Sequence, residues 1–171
     1  MRTIGGVWMS LAVMLLAWAA AALSAEPVQV IWDARITGGL IAQIGSEDLS
    51  LRELGQRFHV RLLLADSAAL ARAQAAIDEA GLTGRFTAEV WTGGRLPFAE
   101  RVLNALVVAS PGLVADQEAR RVLAPRGLFI TPKAVTAMPV PQTIDEWTHY
   151  LYDASGNAVS KDREVAPPQS L

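Results

Sequence analysis

Past residue 25, apolar positions gather into short continuous runs separated by amphipathic stretches. Four runs stand out: Leu40 to Ile44, Val60 to Ala65, Val102 to Ala109 and Leu128 to Ile130. Each ends at a glycine, an aspartate, a serine or a Thr-Pro pair, as strands do. Phe86 to Trp91 alternates enough to add a fifth strand, broken by Thr92-Gly93-Gly94. Continuous apolar strands imply a sheet covered on both faces. Between the strands, apolar residues recur at helical spacing. They are Leu51, Leu54 and Phe58, then Leu70, Ala73, Ala76, Ile77 and Ala80, then the segment Leu113 to Leu123. Asp66 and Ser67 suit the N-terminal cap of the second helix, and Gly81 suits its stop. Arg120 and Arg121 complement the C-terminal dipole of the third. Ala124 to Gly127 reads as a turn. Strands alternating with helices predict an α/β fold, doubly wound, with a mostly parallel five-stranded sheet.

The two ends of the chain depart from this pattern. After Arg2 no charge appears until Glu26, and Val7 to Leu23 is almost wholly apolar. A basic start, an apolar middle and the small-residue exit Ala22-Leu23-Ser24-Ala25 read as a secretory signal peptide, hence an exported protein, periplasmic or extracellular. An uncleaved membrane anchor over residues 7–23 is the alternative, because that length nearly spans a bilayer. A buried core helix is the third reading, and the lack of a polar face disfavours it. From Pro125 onward the texture changes again. Six of the nine prolines fall there, so Lys133 to Gln142 reads as a linker. The expected organisation is a leader over 1–25, a domain over 26–131, and a proline-rich linker and tail over 132–171.

Composition narrows the function classes. The chain has 171 residues, with 15 basic and 17 acidic side chains, which excludes a polybasic nucleic-acid binder. It has no cysteine, which excludes disulfides, cysteine-based zinc sites and thiol catalysis. The mean hydropathy of +0.27 comes mostly from the leader. The two histidines, His59 and His149, have no partner at metal-ligand spacing, and no metal site is expected. No Gly-x-Ser-x-Gly elbow and no phosphate loop of the Gly-x4-Gly-Lys type is present. Asp153 to Asn157 reads as a solvated turn. Trp32 and Trp91 read as core or cover residues.

In a doubly wound sheet, ligands bind beyond the carboxyl ends of the strands. The residues there are Gly45, Asp66, Gly93-Gly94 and Ser110. Asp66 follows Gly45 by 21 residues. A glycine turn after one strand and an acid after the next match the nucleotide-binding logic of a Rossmann half. Gly94-Arg95-Leu96-Pro97-Phe98, the run Val102 to Ala109, and Glu118-Ala119-Arg120-Arg121-Val122-Leu123-Ala124-Pro125-Arg126-Gly127-Leu128-Phe129 then add a family. Together they resemble the class I S-adenosylmethionine-dependent methyltransferases, nearest to the small-molecule "type 11" set, over residues 28–131.

That resemblance implies a Rossmann-like fold, S-adenosylmethionine as cofactor and a small-molecule methyl acceptor. The cofactor would lie over Gly45 and Ser46, with its ribose on Asp66 and Ser67 and its adenine near Thr92 and Gly93. No catalytic residue is nominated. Each assignment has a structural counterpart: Asp66 as a helix cap, Gly45 as a tight turn. The family's first motif is glycine-x-glycine-x-glycine, and Gly45-Ser46-Glu47-Asp48-Leu49 keeps only Gly45. Glu47 and Leu49 are expected to intrude on the cofactor, giving a degenerate site. Asn104 stands where an acid is common. Pro132, Pro139 and Pro141 are expected to leave no room for the family's antiparallel hairpin after the fifth strand.

The tail resembles something else. Asp145 to Leu151, followed by Ser155-Gly156-Asn157-Ala158-Val159, is similar to the lead-in to a PQQ-binding-like β-propeller. Such propellers follow methyltransferase-like domains in exported proteins of planctomycete type. The resemblance implies a split or truncated member of that group, with a β-propeller partner chain, and contact with a membrane only through an uncleaved leader. The alternative to an enzyme is a non-catalytic binding or scaffold module.

Overall fold

The computed structural model describes residues 26–145, 150–151, 154–156 and 159–163. The leader lies outside these residues, as do Trp147, His149 and Tyr152 of the tail. Among the described residues no helix is long and apolar enough to cross a membrane. The chain divides into one unit ending at Met138 and a second from Pro139 to Leu171.

The first unit is an α/β Rossmann-like domain. Its elements are α1 (Pro27–Asp33), β1 (Gly39–Ile44), a 3-10 turn (Arg52–Gln56), β2 (Phe58–Leu64), α2 (Ser67–Glu79), β3 (Phe86–Val90), β4 (Leu103–Val108), α3 (Asp116–Val122), β5 (Leu123–Thr131) and β6 (Ala134–Ala137). The strands form one six-stranded sheet in the order β3-β2-β1-β4-β5-β6. The first five run parallel, and β6 returns antiparallel to β5. The winding direction reverses between β1 and β4, which sets a crevice at their carboxyl ends.

Period-two burial on the central strands sends alternate side chains to two cores. On one face, Ile41, Val60, Leu62, Ala105 and Ile130 pack with Ile31 of α1, Leu54 of the 3-10 turn, and Ala73 and Ile77 of α2. On the other, Ala42, Ile44, Leu63, Leu106 and Val108 pack with Ala119 and Val122 of α3. No helix joins β3 to β4. Leu96 and Phe98 of that connection fill the second core in its place. At the entry to β1, Asn104 Oδ1 accepts the Leu40 N–H at 3.0 Å, a structural use for the position where the family resemblance led us to look for an acid.

Four details differ from the sequence reading. The segment around Leu51 and Leu54 makes only a 3-10 turn, and Phe58 opens β2 instead of closing a helix. Pro27–Asp33 forms a helix that the apolar pattern does not announce, begun by a proline whose missing N–H is no loss in a first turn. Ala124 to Gly127 is not a turn between elements but a bulge inside β5: Leu103 pairs with Leu123, while Ala105 pairs with Leu128. Gly127 must be glycine there, since a Cβ would lie 2.8 Å from the Ala124 carbonyl oxygen and 3.0 Å from that of Leu103. Finally, the antiparallel hairpin does form. Pro132 sits in its two-residue turn, where no ladder hydrogen bond is required of it. Thr131 pairs with Ala134 and Leu128 with Ala137. The sheet therefore has six strands, and it continues past Thr131 into the stretch read as a linker.

In the second unit, Arg163 N–H donates to the Thr143 carbonyl at 2.8 Å and Lys161 N–H to the Asp145 carboxylate at 2.8 Å.

Candidate functional site

The carboxyl ends of β1, β2 and β3 open into a cavity of about 310 Å³. Gly45, Thr92 and Gly93 line it, with Ile44, Leu63, Ala65, Trp91 and Leu113. Gly45 turns the chain at a φ of +78°, which a side chain resists, and its N–H is held by the Leu63 carbonyl at 3.0 Å. A Cβ there would lie 2.7 Å from the Leu113 side chain. Leu113 is thus packed against the turn, and both this contact and the φ call for glycine at the edge of the cavity. Trp91 forms one wall, half-buried, with its indole N–H given to the Arg95 carbonyl at 3.2 Å.

Asp66 stands at the end of β2, beside Ala65, as the N-cap of α2. Its Oδ1 accepts the Ala69 N–H at 2.8 Å, so the capping role read from the sequence is present. Both Asp66 and Ser67 are exposed and neither lines the cavity. Of the six residues proposed for a cofactor, the structure brings Gly45, Thr92 and Gly93 around one space. Asp66 and Ser67 follow directly on its Ala65 wall, and Ser46 lies elsewhere.

The two side chains expected to intrude on this space are turned away from it. Glu47 reaches α2, where the Arg72 Nε donates to both its carboxylate oxygens at 3.0 Å. That bond and the Glu47 charge raise the Arg72 pKa further. Leu49 packs into the core under α1 and α2. The glycines missing from the turn are replaced by residues whose side chains have somewhere else to go.

Ser46 lines a second cavity, about 370 Å³, at the carboxyl ends of β1, β4 and β5. Gln43 projects into this region from β1, only 2% exposed and the one buried polar side chain among the described residues. Its Nε2 donates to the carbonyls of Ser46 (3.2 Å) and Asp48 (2.9 Å). Two carbonyl acceptors fix the orientation of the amide, because a flipped amide would set oxygen against oxygen. Gln43 Oε1 is then buried without a partner. Asp48 accepts from the Ser46 hydroxyl and from the Ser50 N–H. Burial pushes its carboxyl upward, but the hydrogen bonds from Ser46, Ser50 and Gln43 outweigh this and hold its pKa below the ordinary value.

A third constellation is structural. The Glu118 carboxylate accepts the Leu96 N–H at 2.7 Å and is clamped by Arg121 at 2.6 and 2.9 Å. Arg121 also donates to the carbonyls of Phe98 (2.8 Å) and Leu96 (3.1 Å). The Arg121 hydrogen bond is the main reason the Glu118 pKa falls to about 2. Two of the segments that carried the family resemblance are therefore joined by one ion pair, which holds the Leu96-Pro97-Phe98 strap onto α3.

Sequence reasoning missed Gln43; Trp91, read as a core or cover residue, does pack against the second core and also lines the first cavity. The signal for Gln43 was a lone amide within the apolar run Leu40 to Ile44. That for Trp91 was a large aromatic side chain beside the Thr92-Gly93-Gly94 break, at a strand end where ligands bind.

No known protein-family profile and no curated protein matches this sequence. Solved structures do match its fold. A protein of Methanococcus maripaludis described as an S-adenosyl-L-methionine-dependent methyltransferase aligns with a TM-score of 0.51 at 21% identity, over 60% of this chain and 51% of that one. A SAM-dependent methyltransferase from Aquifex aeolicus gives 0.52 at 14% identity, over 62% of each chain. The geranyl diphosphate C-methyltransferase of Streptomyces coelicolor, solved with Mg2+, geranyl diphosphate and S-adenosyl-L-homocysteine, gives 0.51 at 16% identity, over 61% and 44%. The chain spans between 44% and 62% of the length of these three proteins. It has the fold of the SAM-dependent methyltransferases.

Proposed function

We propose that this chain is a methyltransferase-like domain that holds S-adenosylmethionine in the cavity over Gly45. The observation that carries the proposal is the glycine turn at the end of β1, which lines one cavity together with Trp91, Thr92 and Gly93. Gly45 would admit the cofactor backbone-close, the exposed Asp66 carboxylate would take the ribose hydroxyls, and Trp91 with Thr92 and Gly93 would receive the adenine. Asp66 can serve both ends, since its cap uses one oxygen. Pairing with Arg72 removes the charge conflict that Glu47 would otherwise create with a carboxylate ligand. When bound, the sulfonium supplies an activated methyl group, and the protein's share of the work is positioning.

Isothermal titration of the chain with S-adenosylmethionine tests the reading. Micromolar binding that weakens in Asp66→Ala and Gly45→Val supports it. Absence of binding at millimolar cofactor rejects it and leaves the second reading, a non-catalytic binding or scaffold module. What favours that reading is the single glycine left in the turn Gly45 to Leu49, a degenerate form of the cofactor motif. Export through the apolar leader, with residues 7–23 as an anchor if uncleaved, is part of the same proposal. So is a β-propeller partner chain. Sequencing the mature N-terminus tests the first, and co-purification tests the second.

A further inference from the structure

The space beside Gly45 is already taken by a side chain of this chain. A Cβ on Gly45 would lie 2.7 Å from Leu113 Cδ1, so that methyl group fills the room the glycine leaves. Leu113 lines the same cavity as Trp91, Thr92 and Gly93. Yet it is loosely held. It is 44% exposed and belongs to neither hydrophobic core. Its N–H meets the Ser110 carbonyl at 3.5 Å, longer than an ordinary hydrogen bond. The chain on either side is fixed. Ala109 N–H donates to the Ile44 carbonyl at 2.9 Å, and Val114 is buried in the second core. Between these anchors the loop Ser110 to Leu113 turns through Gly112 at a φ of +85°, with nothing packed where a Cβ would stand. Few buried contacts and one weak hydrogen bond place this loop at the low-stability end of the domain, free to open without disturbing β4 or α3.

We infer that Leu113 is a plug on the ligand cavity: in the free protein its side chain rests on Gly45, and a ligand that approaches the Gly45 backbone displaces it by swinging the loop Ser110 to Leu113 outward. The inference rests on the cofactor reading of this cavity and supplies a step that reading needs, because no ligand can use the glycine's missing side chain while a methyl group fills its place. Displacement is cheap, since a leucine this exposed has little apolar contact to give up. A plug of this kind divides the apparent affinity by the fraction of molecules in which it stands open. It acts on association and leaves dissociation alone. A leucine that instead clasped the bound ligand would act on dissociation.

Stopped-flow tryptophan fluorescence of the full chain mixed with S-adenosylmethionine separates the two. With the plug open in about one molecule in ten, Leu113→Ala should speed association about tenfold, leave dissociation unchanged and lower the Kd about tenfold. Should Leu113→Ala fail to fold, Leu113→Val serves, with a smaller change in the same direction. A measurement on the unsubstituted chain stands beside these: the nuclear Overhauser effect between the Leu113 methyl groups and the Gly45 α-protons should be present in the free protein and lost at saturating S-adenosylmethionine. Unchanged association, faster dissociation in the variant, or an Overhauser effect that persists at saturation overturns the inference and leaves the cofactor reading standing. Absence of binding to both the unsubstituted chain and Leu113→Ala rejects the cofactor reading and the plug with it.

Discussion

At the scale of single residues, one position carries two duties. Asp66 caps α2 and is the acid nearest the Gly45 cavity along the chain. Two substitutions separate the duties. Asp66→Ala should lower stability by about 1 kcal/mol in urea denaturation, the usual cost of a lost cap. Asp66→Asn keeps a good cap and should leave stability nearly unchanged, while removing the charge that would hold ribose hydroxyls. A cofactor affinity that drops equally in both variants assigns the carboxylate to the ligand. Gly127 is the clearest case of a residue fixed by its surroundings. Gly127→Ala drives a methyl group into two carbonyl oxygens and should cost about 1–3 kcal/mol, as overpacked sites do.

Elements were legible in the sequence to the extent that their signals are local. The strands β1, β2 and β4 announce themselves because each is a continuous apolar run, β3 because its residues alternate, and α2 because alanines, a cap and Gly81 all agree. What failed were signals that tertiary contacts override. Leu51 and Leu54 have helical spacing, but the connection from β1 to β2 leaves room only for a 3-10 turn that drops both side chains into the core. The prolines around β6 argued against a strand, yet the only ladder partners needed lie between them. Of the residues proposed for a cofactor, Gly45, Thr92 and Gly93 do share one cavity, since topology alone brings strand ends together. It could not see that Glu47 turns to Arg72, because that depends on a helix packing alongside. The Glu118–Arg121 clamp gives an element-scale prediction. Glu118 has a pKa of about 2 in the fold, below its ordinary 4.5, so the clamp's stabilisation is fully present above that ordinary value and is lost as pH falls toward 2. Glu118→Gln should lower the thermal midpoint at pH 7, flatten the acid limb of the stability curve, and speed hydrogen exchange at the Leu96 amide.

At the scale of the whole molecule, the sheet fixes where the folded unit stops. Met138 is buried, its carbonyl accepts the Arg126 N–H at 2.9 Å and its N–H donates to Gly127 at 2.8 Å. A chain cut after Met138 should keep its cooperative unfolding transition. One cut after Thr131 loses β6, bares the bulged strand β5, and should show a broadened transition or precipitate; circular dichroism melts of the two compare them directly. The placement of β4 has a consequence for how the molecule is made. Leu40 and Asn104 are hydrogen-bonded across 64 positions of sequence. Synthesis from the N-terminus therefore delivers β1, β2 and β3 well before the strand that seals the other flank of β1. During that interval β1 has an open side, and long-range closure of this kind is slow. The same winding reversal that creates the crevice in the finished protein leaves the nascent chain with its central strand as a temporary edge.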